Sequence, residues 1–300
     1  MPLMVTGGSG LIGSEIEADF KPTRYDLNLL NLNSIVDYLV ENKINKIIHC
    51  AGKVGGIGAN SNKLGEFYTE NILINTNVLE AARIAKVDKV VSFSSTCVFP
   101  SKATFPLTIK QIHQGPPDSS NYAYAYAKRM VEVQSRAYRK QYGCNFVTII
   151  PCNVYGPNDN YHLEDGHVIP ALIHKIYNAK VKNAGWVNVW GSGKPYREFL
   201  YSKDAAYLAR RVMDEYDEND PLILSPDEEI QISILIEEIR RIIGFKGDVY
   251  YSKTKDGQYR KPSDNTHMKK LFPDFIPTPI EKGLQNTINY FIDNYDEVRK

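Results

Sequence analysis

The sequence predicts an α/β fold, a doubly wound parallel sheet with a smaller C-terminal domain, and three observations predict it. Strand-like runs alternate with helix-period segments through the first half, the runs are almost continuously apolar, and the first ends in a glycine-rich turn. Strands of that kind belong to a parallel sheet covered by helices on both faces, where ligands bind at the C-terminal strand ends.

Taken in order, the first strand is "LMVT" (3 to 6), followed by the loop "VTGGSGLIG" (5 to 13), which places Gly7, Gly10 and Gly13 at the mouth of an expected helix. Such a turn lets backbone approach a pyrophosphate at a helix N-terminus, so a dinucleotide is the expected ligand. Asp26 lies about where an acid would hold an adenosine ribose, whereas Arg24 could hold a 2′-phosphate, and the balance favours NADP. The less favoured reading makes both ordinary surface charges of a loop.

The second strand is "KIIHC" (46 to 50), and apolar residues at helical spacing follow over 67 to 86. "KVVSFSS" (89 to 95) is the next strand and ends in Ser94, Ser95, Thr96 and Cys97. A second long helix spans 124 to 143, then "NFVTIIP" (145 to 151). Beyond Pro157 the alternation breaks into "NDNYHLEDG", a helix from about Val168, and short strands near Val187 and Phe199. A helix at 202 to 216 and "PLILS" are expected to return to the main sheet. The boundaries expected are 1–156 for the nucleotide domain, with 198–224 returning to it, and 157–197 with 225–300 for a substrate domain.

Within the second long helix, Tyr124 and Lys128 stand at i and i+4 and so share a face. An ammonium beside a phenol favours the phenolate, letting the hydroxyl exchange a proton with a carbonyl or alcohol near neutral pH. Ser95, at its strand end, is placed to hydrogen-bond the same oxygen.

The net charge of +1, spread along the chain, gives no electrostatic footprint for nucleic acid or an anionic membrane. No apolar run approaches a membrane span, and a cytoplasmic protein is expected. Cys50, Cys97, Cys144 and Cys152 show neither a metal-ligand spacing nor a disulfide framework, so free thiols and no metal are expected.

The glycine loop, strand-end serine and YxxxK pattern resemble the extended short-chain dehydrogenase/reductase superfamily, with its Rossmann-type fold. "AGKVGGIGAN" (51 to 60), "SSTCVFP" (94 to 100), "YAYAKRM" (124 to 130), "PCNVYGPNDN" (151 to 160), "GHVIPALIHK" (166 to 175) and "VWGSGKPYREF" (189 to 199) narrow this to a resemblance to the GDP-L-fucose synthase family over essentially the whole chain. The resemblance implies NADPH-dependent 3,5-epimerisation and 4-reduction of a GDP-linked 4-keto-6-deoxy sugar, with Ser95, Cys97, Tyr124, Lys128 and His167 as catalytic groups. Cys97 and His167 would be the acid/base pair that moves protons on the carbons flanking the ketone, Ser95 and Tyr124 stabilising the enolate oxygen.

By the same resemblance Gly7, Gly10, Leu11, Ile12, Gly13, Arg24, Tyr124, Lys128, Pro151, Asn153 and His167 would contact the cofactor, and Asn153, Val168, Lys175, Trp190, Arg197 and Lys261 the sugar nucleotide. A homodimer paired through the helices at 67 to 86 and 124 to 143 is implied as well. Gly8, Cys152 and Lys175 stand where some relatives carry His, Thr and Arg. These departures leave open an epimerase/reductase, or a reductase alone, acting on a related GDP-4-keto-6-deoxy sugar such as a heptose. A rival of another class is a non-catalytic NADP-binding sensor.

Overall fold

A computed structural model describes residues 1–252 and 256–300 of the chain. Its elements in order are β1 (Leu3–Thr6), α1 (Leu32–Glu41), β2 (Lys46–His49), α2 (Ile57–Asn62), α3 (Leu64–Ile84), β3 (Lys89–Phe93), α4 (Tyr122–Tyr142), β4 (Asn145–Pro151) and β5 (Asn153–Tyr155). There follow α5 (Val168–Val181), β6 (Trp186–Val189), β7 (Tyr196–Tyr201), α6 (Ser202–Glu215), β8 (Leu222–Leu224), β9 (Glu229–Gln231), α7 (Ile232–Ile243), β10 (Asp248–Tyr251), α8 (Thr266–Leu271) and α9 (Ile280–Asp293).

The central sheet runs β1-β2-β3-β4-β8 and is parallel throughout. Its side chains alternate between two buried layers, as the two-residue period of a strand requires. Leu3, Val5, Ile48, Val91, Val147 and Ile149 meet α6, while Met4, Ile47, Val90 and Phe146 meet Ile35 and Leu39 of α1 and Val78, Leu79 and Ala82 of α3. This is the expected α/β sheet, buried on both faces. Both long helices start slightly earlier than periodicity alone suggests, and α4 ends at Gly143, whose φ of 70° is the left-handed cap conformation that glycine adopts without strain.

One expected element is missing: no helix follows the glycine loop. Gly13–Glu15 makes a single 3-10 turn, Ile16 is extended, and Phe20 bridges in parallel to Met4. Phe20 donates its N–H to the Leu3 carbonyl at 3.1 Å and accepts the Val5 N–H at 2.9 Å. The cause is length. Thirteen residues join Thr6 to Phe20, about the minimum for a parallel crossover, and the loop uses half of them. What would be a strand beside β1 is reduced to Phe20.

Two smaller sheets lie outside the central one. β5 pairs in parallel with β7, which pairs antiparallel with β9, and β6 pairs in parallel with β10. Ile169, Ile173 and Ile176 of α5, Leu235, Ile236 and Ile239 of α7, and Leu284, Ile288 and Phe291 of α9 form the core beneath them.

Candidate functional site

The chemistry-bearing residues gather where the central strands end. After β1, Gly7 has φ +70°, and a Cβ there would stand 2.8 Å from the Ala51 nitrogen; one on Gly13 would stand 2.3 Å from the Gly7 carbonyl oxygen. These two glycines therefore allow the loop to fold on itself and against the end of β2. Gly10 N–H closes the turn on the Gly7 carbonyl at 2.9 Å, while among the described residues the Leu11 and Ile12 N–H groups have no protein acceptor. Such a nest of amides fits a dinucleotide phosphate. It does so without the helix macrodipole that the sequence suggested, since a three-residue turn carries none to speak of.

Arg24 is exposed and donates to the Tyr25 hydroxyl at 3.1 Å. Asp26 accepts the N–H and hydroxyl of Thr23 at 2.8 and 2.7 Å, and these bonds hold its carboxyl below the ordinary range. Neither side chain touches the glycine loop among the described contacts. Lys21 does: its methylenes lie over Gly8, and its ammonium donates to the Ser14 carbonyl at 3.1 Å.

Strand β3 stops at Phe93, so Ser95 lies just beyond it and caps a 3-10 turn, Thr96–Val98, by accepting the Cys97 N–H at 3.3 Å. Cys97 packs against Ala59, Phe67 and Tyr124. Burial pushes its thiol pKa up, opposed by the Ser95 hydrogen bond and by the positive charges of Lys261, Lys128 and Arg129. The resting group is a thiol in an electropositive setting.

Tyr124 is buried edge-to-face against Phe67, with ring centroids 6.3 Å apart. Burial raises its phenol well above the usual value, and nearby Cys97 adds to this. Lys128, also buried, donates to the Phe93 carbonyl at 3.0 Å, and burial brings its ammonium down to about 8. The ammonium is hydrogen-bonded to a β3 carbonyl, and burial is the dominant influence at the phenol. Tyr124 is thus held as a neutral phenol. Ser95 and Tyr124 share no hydrogen bond among the described residues.

The segment 51–60 runs from this centre to the turn that precedes His167. Asn71 of α3 pins its start, accepting the Lys53 N–H at 3.0 Å and donating to the Lys53 and Phe67 carbonyls at 3.0 and 2.7 Å. Gly52 leaves no room for a side chain: a Cβ would meet Asn71 Oδ1 at 2.9 Å and Lys128 Nζ at 3.4 Å. Further on, Gly56 N–H donates to the Asp165 carbonyl at 2.7 Å. His167 precedes α5, half exposed, with Nδ1 4.0 Å from the buried Asp159 carboxylate. His162, by contrast, accepts the Glu164 and Asp165 N–H groups at 3.3 and 3.0 Å and is spent on that turn.

The residues expected to hold the sugar nucleotide are spread over β5, α5, the end of β6, β7 and the segment that follows β10. Pro151 ends β4 beside Leu224, and Asn153 donates to the Glu198 carbonyl at 2.8 Å. Val168 and Lys175, seven residues apart, lie on one face of α5, and Trp190 is exposed just past β6. Arg197 of β7 donates to the Tyr196 carbonyl at 2.6 Å; burial lowers its pKa, with Glu229 and Asp256 opposing. Lys261 is similarly lowered by burial. Its segment is fixed where Leu107 N–H meets the Pro262 carbonyl at 2.8 Å and Ser263 N–H meets Glu198 Oε1 at 3.1 Å.

Sequence reasoning missed several groups. Asp256 accepts the N–H and hydroxyl of Ser192 at 2.8 and 2.5 Å, a pairing across 64 residues that no local pattern announces. His49, Asn71 and Asn75 sit behind Lys128, and their only signal was polar residues at positions otherwise reading as core.

The model of the NAD dependent epimerase/dehydratase family matches residues 3–225. A GDP-L-fucose synthase of Dictyostelium discoideum is 45% identical over 99% of this chain and 97% of its own length. A probable GDP-L-fucose synthase of Drosophila melanogaster is 37% identical over 99% of both chains. The crystal structure of a GDP-L-fucose synthetase from Naegleria fowleri bound to NADP superposes with a TM-score of 0.93 at 35% identity, covering 99% of this chain and 96% of that one.

Proposed function

The chain belongs to the NAD dependent epimerase/dehydratase family and, within it, to the GDP-L-fucose synthases, and on that footing we propose that it converts GDP-4-keto-6-deoxy-mannose to GDP-L-fucose with NADPH. The observation that carries the reading is local: Cys97, two residues after Ser95, packs against Tyr124, the neutral phenol one helical turn before Lys128.

Ser95 and Tyr124 hydrogen-bond the sugar C4 oxygen. Cys97 and His167 are the acid/base pair on the neighbouring carbons. One takes a proton from the carbon beside the ketone, the C–H electron pair moves onto O4 as an enolate held by Ser95 and Tyr124, and the other returns a proton to the opposite face. Each cycle removes one proton and restores one, so no redox change occurs; the cycle operates at C3 and at C5. The reduced nicotinamide supplies, when bound, the hydride equivalent that reduces C4. Tyr124 gives O4 its phenol proton, and the Lys128 ammonium stabilises the phenolate left behind. A ketone that stays in one place thus serves both stages.

The Gly7–Gly13 loop, Pro151 and Asn153 hold the cofactor, and Val168, Lys175, Trp190, Arg197 and Lys261 hold the GDP-sugar, the three cations facing its diphosphate. Four free cysteines fit a reducing compartment, and the cytoplasm is the one proposed. A homodimer is proposed through α3 and α4. Tyr126, Met130 and Val133 form an exposed stripe at i, i+4 and i+7 on α4, and α3, which packs against α4, exposes Tyr68 and Leu73.

The test is NMR and mass spectrometry of the product made from GDP-4-keto-6-deoxy-mannose and NADPH. GDP-L-fucose is expected; a reduced product with C3 and C5 unchanged would overturn the epimerase half.

A further inference from the structure

We propose that Lys21 is the residue that recognises the 2′-phosphate of NADPH, in place of a group on the loop that follows it. The assignment rests on the cofactor reading above and deepens it.

In a sheet of this type, the residue at the C-terminal end of the strand flanking β1 lies beside the adenosine ribose. An acid there binds the 2′-hydroxyl and repels a phosphate, whereas a base accepts the phosphate. Here that strand is reduced to Phe20, fixed by its bridge to Met4 and its bonds to Leu3 and Val5. The residue at its end is therefore Lys21. The shortened crossover has drawn the ribose-reading position back along the chain from Arg24 and Asp26.

The side chain is placed accordingly. Its stem crosses Gly8, so close that a Cβ on Gly8 would meet Lys21 Cβ at 2.8 Å, and the ammonium lies on the Ser14 carbonyl at 3.1 Å. It is also near enough to Cys50, at the end of β2, to oppose the burial that pushes that thiol up to about 12. The charge thus sits between the glycine loop and the next strand end. Lys21 is exposed, and a single carbonyl contact is one an ammonium can exchange for a dianionic phosphate at a net gain. Asp26 is held by Thr23 and Arg24 by Tyr25. No acid touches Lys21 among the described residues, so nothing there favours a bare hydroxyl.

The experiment is a fluorescence titration of the full chain with NADPH and with NADH, for wild type, Lys21→Met, Lys21→Arg and Arg24→Met, with melting temperatures as a folding control. Lys21→Met keeps the stem over Gly8 and removes the charge. Its NADPH affinity should fall about tenfold or more while its NADH affinity holds, and Lys21→Arg should keep the preference. Equal loss for both coenzymes would assign the charge to the pyrophosphate and overturn the proposal, as would an unchanged Lys21→Met or a selective loss in Arg24→Met. Wild type that binds neither coenzyme would remove the cofactor reading and this assignment together, an outcome distinct from failure of the assignment alone.

Discussion

The Thr6 hydroxyl and the His49 imidazole Nδ1 lie 2.7 Å apart in the core, and His49 Nε2 lies 3.0 Å from Asn75 Oδ1. Asn75 in turn donates to the Ala127 carbonyl at 3.3 Å, beside Lys128. Because the Asn75 oxygen can only accept, Nε2 carries the imidazole proton and Nδ1 accepts from Thr6. A chain of buried hydrogen bonds thereby ties the residue before the glycine loop to the helix that bears Tyr124 and Lys128.

His49 is neutral in the fold: burial, with Lys128 adding, pushes its pKa down to about 3. Between about pH 6.5 and pH 3 the unfolded chain therefore binds the extra proton, and stability falls as the pH falls. His49 alone should contribute a loss of roughly 2 to 3 kcal/mol between pH 7 and about pH 4.5. Urea unfolding of wild type and His49→Leu across that range measures it. The variant, less stable at pH 7 because Thr6 and Asn75 lose partners, should show a shallower acid loss; equal slopes would count against the neutral histidine.

Gly13→Ala would set a Cβ 2.3 Å from the Gly7 carbonyl oxygen. That contact is to backbone and cannot be relieved by a rotamer change, so the loop must open. Stability should drop by about 1 to 3 kcal/mol, and NADPH binding by fluorescence should be lost. Retained tight binding would show that the loop does not cradle the cofactor.

The strands and long helices were legible in the sequence because burial on both faces leaves unbroken apolar runs and α3 and α4 carry clear periods. The missing helix was not. Ile12 and Ile16 are spaced as a helix would space them, and only the short distance to Phe20 excludes it. Ser95, Cys97, Tyr124 and Lys128 were legible as a local pattern, but the Lys128 bond to the Phe93 carbonyl was not, since 35 residues separate them. The same holds for the β5-β7-β9 sheet and for Asp256 on Ser192, whose partners meet only through tertiary packing.

Tyr124→Phe removes the proton given to O4 and should lower the reduction rate by about a hundredfold to ten-thousandfold, with NADPH affinity little changed. Since the Lys128 ammonium loses its proton near pH 8 in the free protein, kcat/KM for reduction should fall as the pH rises through that value. Lys128→Met should lose both the activity and that limb of the profile. A flat profile to pH 10 would deny the ammonium its role.

Met130 is exposed on α4 between Tyr126 and Val133. Met130→Glu would bury a charge if that stripe pairs with a second copy, so light scattering should show wild type as a dimer and the variant shifted to monomer. A wild-type monomer at tens of micromolar would contradict the proposed assembly.

The most direct test is proton exchange at carbon with no reductant present. Incubated with GDP-4-keto-6-deoxy-mannose in deuterated water without NADPH, wild type should replace the C3 and C5 hydrogens with deuterium, read by NMR. Cys97→Ser should lose that exchange and still reduce a 4-keto sugar nucleotide when NADPH is added. Exchange that persists undiminished in Cys97→Ser, or is absent at both carbons in wild type, would contradict a single pocket that epimerises and reduces around one carbonyl.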